Sequence, residues 1–255
     1  MVLKLCEFSK VRIVMKTTDR IKCIVFDFDN VLILDEKTGI GSEELKMRIW
    51  IELFHELKLK KMQDDLHAFI KQIGGGKGDR MQIAEYLLKK HRSTRVGLIE
   101  ERAKSICAEF DKRVRSGVLQ IGISQKKIEF LKELRKRYAL YVNTGTPVDS
   151  VEKCISELGI TDCFDGIYGR PNTKKENLRL ILKREGISAD ELVYIDDQPS
   201  GFSVAQDVGC WFIGMRTKAI KAWFKKPLNF PIVQGIADVE HQVDLLTKET
   251  LSKNK

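Results

Sequence analysis

The most constraining feature of this 255-residue sequence is a short apolar run that stops abruptly at acidic residues. Residues 21–26 read Ile-Lys-Cys-Ile-Val-Phe, and Asp27, Phe28, Asp29 and Asn30 follow at once. A short run of this kind is typical of a strand buried in a parallel α/β sheet. Ligands of such sheets bind beyond the carboxyl ends of the strands, so we expect a site at the two aspartates.

From Gly117 onward, helical and strand patterns alternate along the sequence. Strands are predicted at residues 139–143, 166–168, 192–195 and 210–213, with helices before, between and after them. Repeated alternation of this kind predicts a parallel sheet flanked by helices. The expected fold class is therefore α/β, with a Rossmann-like core.

A helical segment separates the first strand from this alternation. Ser42 is expected to be the N-cap of its first helix, because two glutamates follow in the first turn. Four stretches carry apolar residues at helical spacing: Leu45, Ile49, Leu53 and Leu57; Leu66, Phe69, Ile70 and Ile73; Ile83, Leu87 and Leu88; and Val96, Ile99, Ala103, Ile106, Phe110 and Val114. At roughly 80 residues this segment is too long for an ordinary loop, so we predict an inserted all-helical cap.

The predicted organisation has four parts. An N-terminal extension covers residues 1–20, where Met15 is an alternative start. The α/β core consists of residues 21–37 and 117–235, the helical cap is residues 38–116, and a C-terminal helix and tail cover residues 236–255.

The composition limits the setting and the partners. The 45 basic and 36 acidic residues give a net charge of +9, but no segment interleaves basic with aromatic residues. This pattern argues against nucleic acid as a direct partner. Six dispersed cysteines without CxxC spacing argue against zinc and fit a reducing compartment. Without an apolar run of membrane length or a secretory leader, we expect a cytoplasmic protein without membrane attachment.

Polar residues recur at the predicted strand ends. The first strand gives Asp27 and Asp29, and the third core strand gives Asp196 and Asp197. So many carboxylates repel one another unless a cation lies among them, and carboxylate oxygens suit Mg²⁺. Between these ends lie groups that suit a phosphate anion, namely Thr144, Gly145 and the lysine pair Lys174 and Lys175.

Four sequence motifs resemble those of the haloacid dehalogenase superfamily. They are residues 23–32 (Cys-Ile-Val-Phe-Asp-Phe-Asp-Asn-Val-Leu), 141–147 (Tyr-Val-Asn-Thr-Gly-Thr-Pro), 168–174 (Tyr-Gly-Arg-Pro-Asn-Thr-Lys) and 193–197 (Val-Tyr-Ile-Asp-Asp). The cap lies between the first and second motifs, as in the branch that resembles phosphoglycolate phosphatase and β-phosphoglucomutase. The resemblance covers about residues 21–215, and the order of the four motifs makes it specific.

The resemblance implies roles for individual residues. Asp27 matches the nucleophile that forms an aspartyl-phosphate, and Asp29 matches the general acid and base. Lys174, favoured over Lys175 by its spacing, would balance the charge of Asp27 and the phosphoryl group. Thr144 and Gly145 would bind phosphoryl oxygens. The Mg²⁺ ligands would be Asp27, the backbone carbonyl of Asp29 and Asp197, with Asp196 as a second ligand or an orienting group.

The resemblance also points to a turn in the cap and to one departure. Residues 74–80 read Gly-Gly-Gly-Lys-Gly-Asp-Arg, and the matching turn approaches the active site, so Lys77 or Arg80 could contact the leaving group. A flexible turn with solvated charges is the alternative.

Many members of the family carry an acid four residues after the metal-binding aspartate, where this chain has Gly201. The identity of the second acidic ligand therefore stays open.

The function expected from these residues is a Mg²⁺-dependent phosphatase that acts on a small phosphorylated metabolite, as a monomer or homodimer. A phosphomutase of the same branch, a nucleic-acid end phosphatase and a non-catalytic binding module are the alternatives. The presence of Asp29 argues against a dehalogenase. A phosphonatase would need a Schiff-base lysine from the cap, where Lys46, Lys60 and Lys77 are available.

Overall fold

The computed structural model describes residues 21–35, 38–56, 62–73, 80–91, 95–217 and 228–252. The predicted N-terminal extension, Lys60 and Lys77 lie outside these described residues. The strands are β1 (Cys23–Phe26), β2 (Ala139–Pro147), β3 (Gly166–Arg170), β4 (Leu192–Asp196), β5 (Trp211–Met215) and β6 (Ile232–Val233). The helices are α1 (Ser42–Glu56), α2 (Met62–Ile73), α3 (Arg80–Lys90), α4 (Ile99–Ile121), α5 (Gln125–Arg137), α6 (Val148–Glu157), α7 (Lys174–Glu185), α8 (Pro199–Val208) and α9 (Val239–Ser252).

The six strands form one parallel sheet in the order β3-β2-β1-β4-β5-β6. β1 lies at its centre, and Phe26 pairs with Val142 of β2 on one side and Ile195 of β4 on the other. The chain runs from β1 toward β3 on one side and toward β6 on the other. The strand order therefore reverses beside β1, which is where open α/β sheets bind their ligands.

Alternate side chains of β1 enter two different layers of the core. Ile24 and Phe26 are buried with apolar residues of α5, α6 and α9, and this cluster continues into the cap. Cys23 and Val25 are buried with residues of α7 and α8 on the opposite face. The sheet is thus covered on both faces, which explains why β1 is apolar throughout. These features confirm the predicted α/β class with a helical cap.

The cap consists of α1–α4, which lie between β1 and β2 in the chain. Trp50 of α1 stacks on Phe110 of α4 with ring centroids 4.1 Å apart, and both side chains are buried. The predicted boundary between cap and core, at residues 116 and 117, falls inside α4. The helix continues to Ile121 and ends at Gly122, whose φ of 67° favours glycine.

Several predicted element ends differ from those in the structure. β2 continues beyond its predicted end at residue 143 to Pro147, which is also the N-cap of α6. The prediction that Ser42 is the N-cap of α1 is wrong, because the helix already begins at Ser42, and its hydroxyl donates a hydrogen bond to Asp29. The short edge strand β6 was not expected, since two residues give too short a pattern to read. Among the described helices, none has the length and apolar character to cross a bilayer.

Candidate active site

The candidate site lies where β1, β2 and β4 end side by side. Asp27 directly follows β1, Thr144 lies near the end of β2, and Asp196 is the last residue of β4. The backbone N–H of Asp27 still donates to the carbonyl of Ile195, so its ladder bond with β4 fixes its position. Parallel pairing thus brings together residues that lie far apart in the sequence.

Asp27 is held between a backbone amide and a lysine. Its Oδ1 accepts a hydrogen bond from the N–H of Phe28 at 2.8 Å, and its Oδ2 accepts one from Lys174 Nζ at 2.8 Å. Only 3% of the residue is exposed. Burial raises the pKa of Asp27 to about 7, against the lowering effect of Lys174, and Asp196 and Asp29 raise it further.

Asp196 is fully buried and accepts three hydrogen bonds. Its Oδ2 accepts from Lys174 Nζ at 2.8 Å and from the Tyr194 hydroxyl at 2.5 Å, while its Oδ1 accepts from the N–H of Gln198 at 2.8 Å. Both carboxylate oxygens therefore have protein donors. This arrangement suits a group that orients Lys174 better than one whose oxygens face a metal ion.

Asp197 lies next to Asp196 and is only 1% exposed. Its Oδ2 accepts hydrogen bonds from Asn30 Nδ2 at 3.0 Å and from Gln198 Nε2 at 3.3 Å. Burial raises the pKa of Asp197 to about 9, and the charges of Asp196 and Asp27 add to the rise. A carboxylate in this position is costly unless a cation neutralises it.

The three carboxylates form a cluster that fits a divalent metal ion. One oxygen from each of Asp27, Asp196 and Asp197 lies within 4.8 Å of the others. Lys174 supplies one positive charge to this group, through its contacts with Asp27 and Asp196. The remaining negative charge and the hard oxygen donors suit Mg²⁺, which binds through a few carboxylates and keeps several waters.

The two neighbouring lysines have different surroundings. Lys174 is largely buried, and its contacts with Asp196 and Asp27 raise its pKa well above the usual value although burial acts to lower it. Lys175 pairs with Asp207 at 2.7 Å on the exposed side of α7. The structure thus brings Lys174, and not Lys175, to the carboxylate cluster.

Buried amides fix the start of α7 and with it Lys174. Asn143 Nδ2 donates to the backbone carbonyl of Lys174 at 2.9 Å, and Asn177 Nδ2 donates to Asn143 Oδ1 at 3.0 Å. Thr173 caps the helix in a reciprocal pair with Glu176. The helix start is therefore bound both to β2 and by its own cap.

Thr144 and Gly145 lie at the end of β2 beside this cluster. The Thr144 side chain is buried, and its hydroxyl oxygen accepts a hydrogen bond from the N–H of Thr146 at 3.1 Å. Apart from its chain neighbours, no heavy atom of the described residues lies within 4 Å of the position that a Cβ on Gly145 would occupy. Space for a ligand thus adjoins the backbone at Gly145, as a phosphate-binding position requires.

Asp29 belongs to a second group of polar side chains on the cap side. Its Oδ1 accepts from the Ser42 hydroxyl at 2.7 Å, and its Oδ2 accepts from Lys46 Nζ at 2.5 Å and from the Thr146 hydroxyl at 2.9 Å. Burial acts to raise the pKa of Asp29, but Lys46 and the two hydroxyls lower it below its usual value. Asp29 is therefore ionised at neutral pH, whereas the pKa of Asp27, two residues before it, is raised.

Lys46 reaches from the cap to the core. Besides Asp29, its ammonium contacts Glu43 at 2.8 Å and the Thr146 hydroxyl at 3.2 Å. Although burial acts to lower its pKa, Asp29 and Glu43 raise it above the usual value. A Schiff-base lysine must be neutral to attack a carbonyl, so this environment does not suit Lys46 to the phosphonatase role.

A pocket of about 260 Å³ opens beside Asp29, between the cap and the core. Arg80 lines it but is bound to the carboxylate of Asp111, and its guanidinium lies 5.4 Å from the centre of the Phe110 ring. The structure thus places Arg80 near the site with its charge already paired. Lys77, its partner in the sequence-based expectation, lies outside the described residues.

Gly201, in the first turn of α8, leaves room for Asp196. A Cβ on Gly201 would lie 2.4 Å from Asp196 Cγ, and Asp196 is held by Lys174, Tyr194 and Gln198. No side chain can therefore occupy position 201 without displacing Asp196. The glycine at position 201, where many family members have an acid, therefore makes the room that Asp196 of the aspartate pair occupies.

The sequence did not indicate the side chains that donate hydrogen bonds to the predicted site carboxylates. Asn30 was not singled out, yet its φ of 58° is a conformation that asparagine tolerates better than most residues, and its amide binds Asp197. A polar residue within the acidic loop was the only available signal. The donors to Asp29 had no local signal, because Ser42, Lys46 and Thr146 come from other elements. Tyr194, two residues before Asp196 in β4, was not singled out either.

Comparison with known proteins gives one family match and many similar folds. The family model described as a haloacid dehalogenase-like hydrolase matches residues 21–209. A predicted phosphoglycolate phosphatase from Haemophilus somnus is 18% identical with a TM-score of 0.65, over 88% of this chain and 99% of that chain. A β-phosphoglucomutase from Clostridium difficile is 17% identical with a TM-score of 0.62, over 91% and 99%.

A 2-haloacid dehalogenase from Pseudomonas syringae is also similar, with 20% identity, a TM-score of 0.55 and coverage of 88% and 99%. These three proteins are named for three different reactions. Similarity at this level of identity establishes the fold, and the chemistry has to be inferred from the residues of the site.

Proposed function

Because the chain belongs to the haloacid dehalogenase-like hydrolases, we propose that it is a Mg²⁺-dependent phosphatase that hydrolyses a small phosphomonoester. The observation that carries this proposal is the cluster of three buried carboxylates, those of Asp27, Asp196 and Asp197, of which the first two bind a lysine, Lys174. The three buried carboxylates carry more negative charge than Lys174 can balance, which favours binding of a metal ion. The bound ion would in turn favour binding of a dianionic phosphoryl group. The proposed setting is cytoplasmic, in keeping with the five cysteines of the described residues, which form no disulfide with one another.

Asp27 is the proposed nucleophile. One of its carboxylate oxygens attacks phosphorus, the bond from phosphorus to the ester oxygen breaks, and an aspartyl-phosphate forms. Lys174 lies 2.8 Å from Asp27 and offsets the negative charges of the carboxylate and the phosphoryl group as they approach each other. The Thr144 hydroxyl and the Gly145 amide are the proposed donors to the phosphoryl oxygens.

The proposed ligands of Mg²⁺ are Asp27, Asp197 and the backbone carbonyl of Asp29. When bound, the ion supplies charge stabilisation to the phosphoryl oxygens. Asp196 is proposed as a positioning residue, since its oxygens accept bonds from Lys174, Tyr194 and the Gln198 amide.

Asp29 is the proposed proton carrier. Its ionised form, which Lys46 and the hydroxyls of Ser42 and Thr146 stabilise, can accept a proton from the water that attacks the aspartyl-phosphate. That attack breaks the bond between phosphorus and Asp27 and releases phosphate. The proton then held by Asp29 is available to the oxygen of the next leaving group, so each turnover restores both carboxyl groups.

The other reactions of this fold fit the site less well. A dehalogenase releases halide and needs no proton for its leaving group. In such an enzyme, the hydrogen bonds that Ser42, Lys46 and Thr146 donate to Asp29 would serve no catalytic step. A phosphomutase would have to keep water from the aspartyl-phosphate, and the free phosphate measured below separates it from a phosphatase. A nucleic-acid end phosphatase would require room for a polymer, whereas the pocket beside Asp29 holds only about 260 Å³.

The test is phosphate release from a panel of phosphomonoesters, measured with Mg²⁺ and with EDTA. We expect release that requires the metal and that Asp27→Asn lowers about a thousandfold or more. Asp149→Asn is the matched control, because Asp149 is exposed on α6 and should leave the rate unchanged. Release that survives Asp27→Asn or EDTA would overturn the proposal, as would a folded protein that cleaves no ester.

A further inference from the structure

The pocket beside Asp29 has two walls, one from the cap and one from the core. The cap wall comes from Lys46, Arg80 and one face of α4, and the core wall comes from Thr146 and α6. Asp27, Lys174 and Asp197 do not line it. A phosphoryl group on Asp27 would therefore lie behind Asp29, and the pocket would receive the rest of the substrate.

The charge of the pocket lining is unbalanced. Five cationic side chains line it against two carboxylates. Asp29 is bound by Lys46 and Asp111 by Arg80, so both carboxylates are already neutralised. The cations that remain are Lys112, Arg115 and Lys153.

These three cations come from both walls. Lys112 and Arg115 are one helical turn apart on α4, and Lys153 is on α6. Arg115 lies 3.8 Å from Glu157, whereas no carboxylate of the described residues forms an ion pair with Lys112 or Lys153. Asp149, Glu152 and Glu157 border Lys153 in a neighbouring cleft, and none of them lines the pocket.

The rest of the lining is mostly apolar, with Phe28, Val114, Val118 and Val151 among its members, and its two hydroxyl residues are Thr146 and Ser150. Its volume of about 260 Å³ lies below the usual range for drug-sized ligands, roughly 300–1,000 Å³. A small apolar pocket edged by cations accommodates a short carbon chain that ends in a negative charge. Its two hydroxyl residues offer few partners to a neutral polyhydroxyl group, since the Thr146 hydroxyl already donates to Asp29.

We propose that this pocket selects phosphomonoesters whose short leaving group carries a second anionic group, held by Lys112 and Lys153 with Arg115 beside them. The inference rests on the proposed phosphatase function and narrows its substrate class. The second anion can be a carboxylate or a second phosphate, because both are bound by the same ammonium groups.

Two substrates of almost equal size test the proposal. 3-Phosphoglycerate and glycerol 3-phosphate share a three-carbon skeleton, and the first has a carboxylate where the second has a hydroxymethyl group. We expect kcat/KM for phosphate release to be about tenfold higher for 3-phosphoglycerate, in line with a charge-assisted contact. A parallel assay of propane-1,3-diol bisphosphate shows whether a phosphate serves better than a carboxylate as the second anion.

Lys112→Met and Lys153→Met remove a charge and keep most of the side-chain stem. Each should lower the preference for 3-phosphoglycerate over glycerol 3-phosphate about threefold to tenfold, and the double variant should abolish it. Lys183→Met is the matched control, because Lys183 is exposed on α7 and away from the pocket, so the preference should persist. Equal kcat/KM for all three esters, or a preference that survives the double variant, would overturn the proposal.

Calorimetry separates failure of this inference from failure of the proposed function. If the protein cleaves no ester, the phosphatase proposal fails, and binding of the same two esters to the Mg²⁺-loaded protein decides the inference. Tighter binding of 3-phosphoglycerate that Lys112→Met weakens would support the anionic pocket. Equal binding of both esters, or no binding, would overturn it.

Discussion

At the scale of single residues, the site stores unfavourable electrostatic energy. Burial and neighbouring negative charge raise the pKa of Asp197 to about 9 and that of Asp27 to about 7. Carboxyl groups with raised pKa values destabilise the fold when they are ionised at neutral pH. A bound cation would remove this cost, and so would the loss of one carboxylate.

Asp197→Asn should therefore stabilise the protein in EDTA while removing its response to Mg²⁺. We expect a gain of about 1–3 kcal/mol in the free energy of unfolding, with a rise of several degrees in Tm. Thermal unfolding of wild type and variant, each with EDTA and with Mg²⁺, gives the result. The same change at exposed Asp149 should leave Tm and the Mg²⁺ response as in wild type. A variant that loses stability in EDTA would contradict the electrostatic account.

Lys174 and Lys175 offer a matched pair of substitutions. Lys174→Met would leave Asp27 and Asp196 buried without their shared ammonium, which costs about 3–5 kcal/mol. Lys175→Met would remove only a surface ion pair with Asp207, which contributes little to stability. We expect urea unfolding to show this difference, and phosphate release to be lost in the first variant alone. Similar losses in both variants would argue against a distinct role for Lys174.

The sequence predicts correctly that residues at the ends of neighbouring parallel strands lie close together. Asp27, Asp196 and Asp197 follow apolar runs, so parallel pairing alone predicts that they meet. Lys46 could not be found in this way, because its contact with Asp29 depends on how α1 lies against the core. For the same reason, the sequence could not indicate that the pKa of Asp29 is lowered.

At the scale of elements, the first turn of α8 determines the geometry of the acidic pair. Asp196 ends β4, Asp197 follows it, and α8 begins at Pro199, so the chain turns within a few residues. Gly201 permits this turn to approach Asp196 closely. The placement of both carboxylates thus depends on an element that contributes no catalytic group of its own.

Gly201→Ala should destabilise the protein, because the new Cβ would lie 2.4 Å from Asp196 Cγ. We expect a loss of about 1–3 kcal/mol, typical of a forced fit in a packed interior, together with weaker binding of Mg²⁺. Gly97→Ala is the control, since the residue is exposed and, within the described part of the chain, no heavy atom beyond its immediate neighbours lies within 4 Å of the added Cβ. Unfolding in urea and titration with Mg²⁺ measure both effects. An unchanged stability in Gly201→Ala would contradict the close approach.

The limits of sequence-based prediction at this scale lie at element ends. The alternation after Gly117 predicts β2, β3, β4 and β5, because apolar runs bounded by helices are a strong local pattern. It stops β2 at Asn143, since Thr144, Gly145 and Thr146 look like a turn, whereas pairing continues to Pro147. Tertiary pairing with β3 overrides the local preference there.

At the scale of the whole molecule, the cap and the core meet at the pocket beside Asp29. Lys46 of α1 binds Asp29 and Thr146 of the core, and Arg115 of α4 faces Glu157 of α6. The cap is thus fixed to the core on the side where the leaving group would lie. Sequence spacing predicts the cap's position in the chain, but the pocket arises only from the packing of its helices against α6.

The central claim is that Asp27 becomes phosphorylated during turnover, and trapping that species tests it most directly. The protein with Mg²⁺ is mixed with acetyl phosphate, whose acetate leaves without a proton, and is quenched in acid within one turnover. Tandem mass spectrometry of peptic peptides then locates the phosphoryl group. We expect it on Asp27, more abundant in Asp29→Asn, where water lacks its proton acceptor, and absent from Asp27→Asn. Phosphate release without label on Asp27, or label on another residue, would contradict the account.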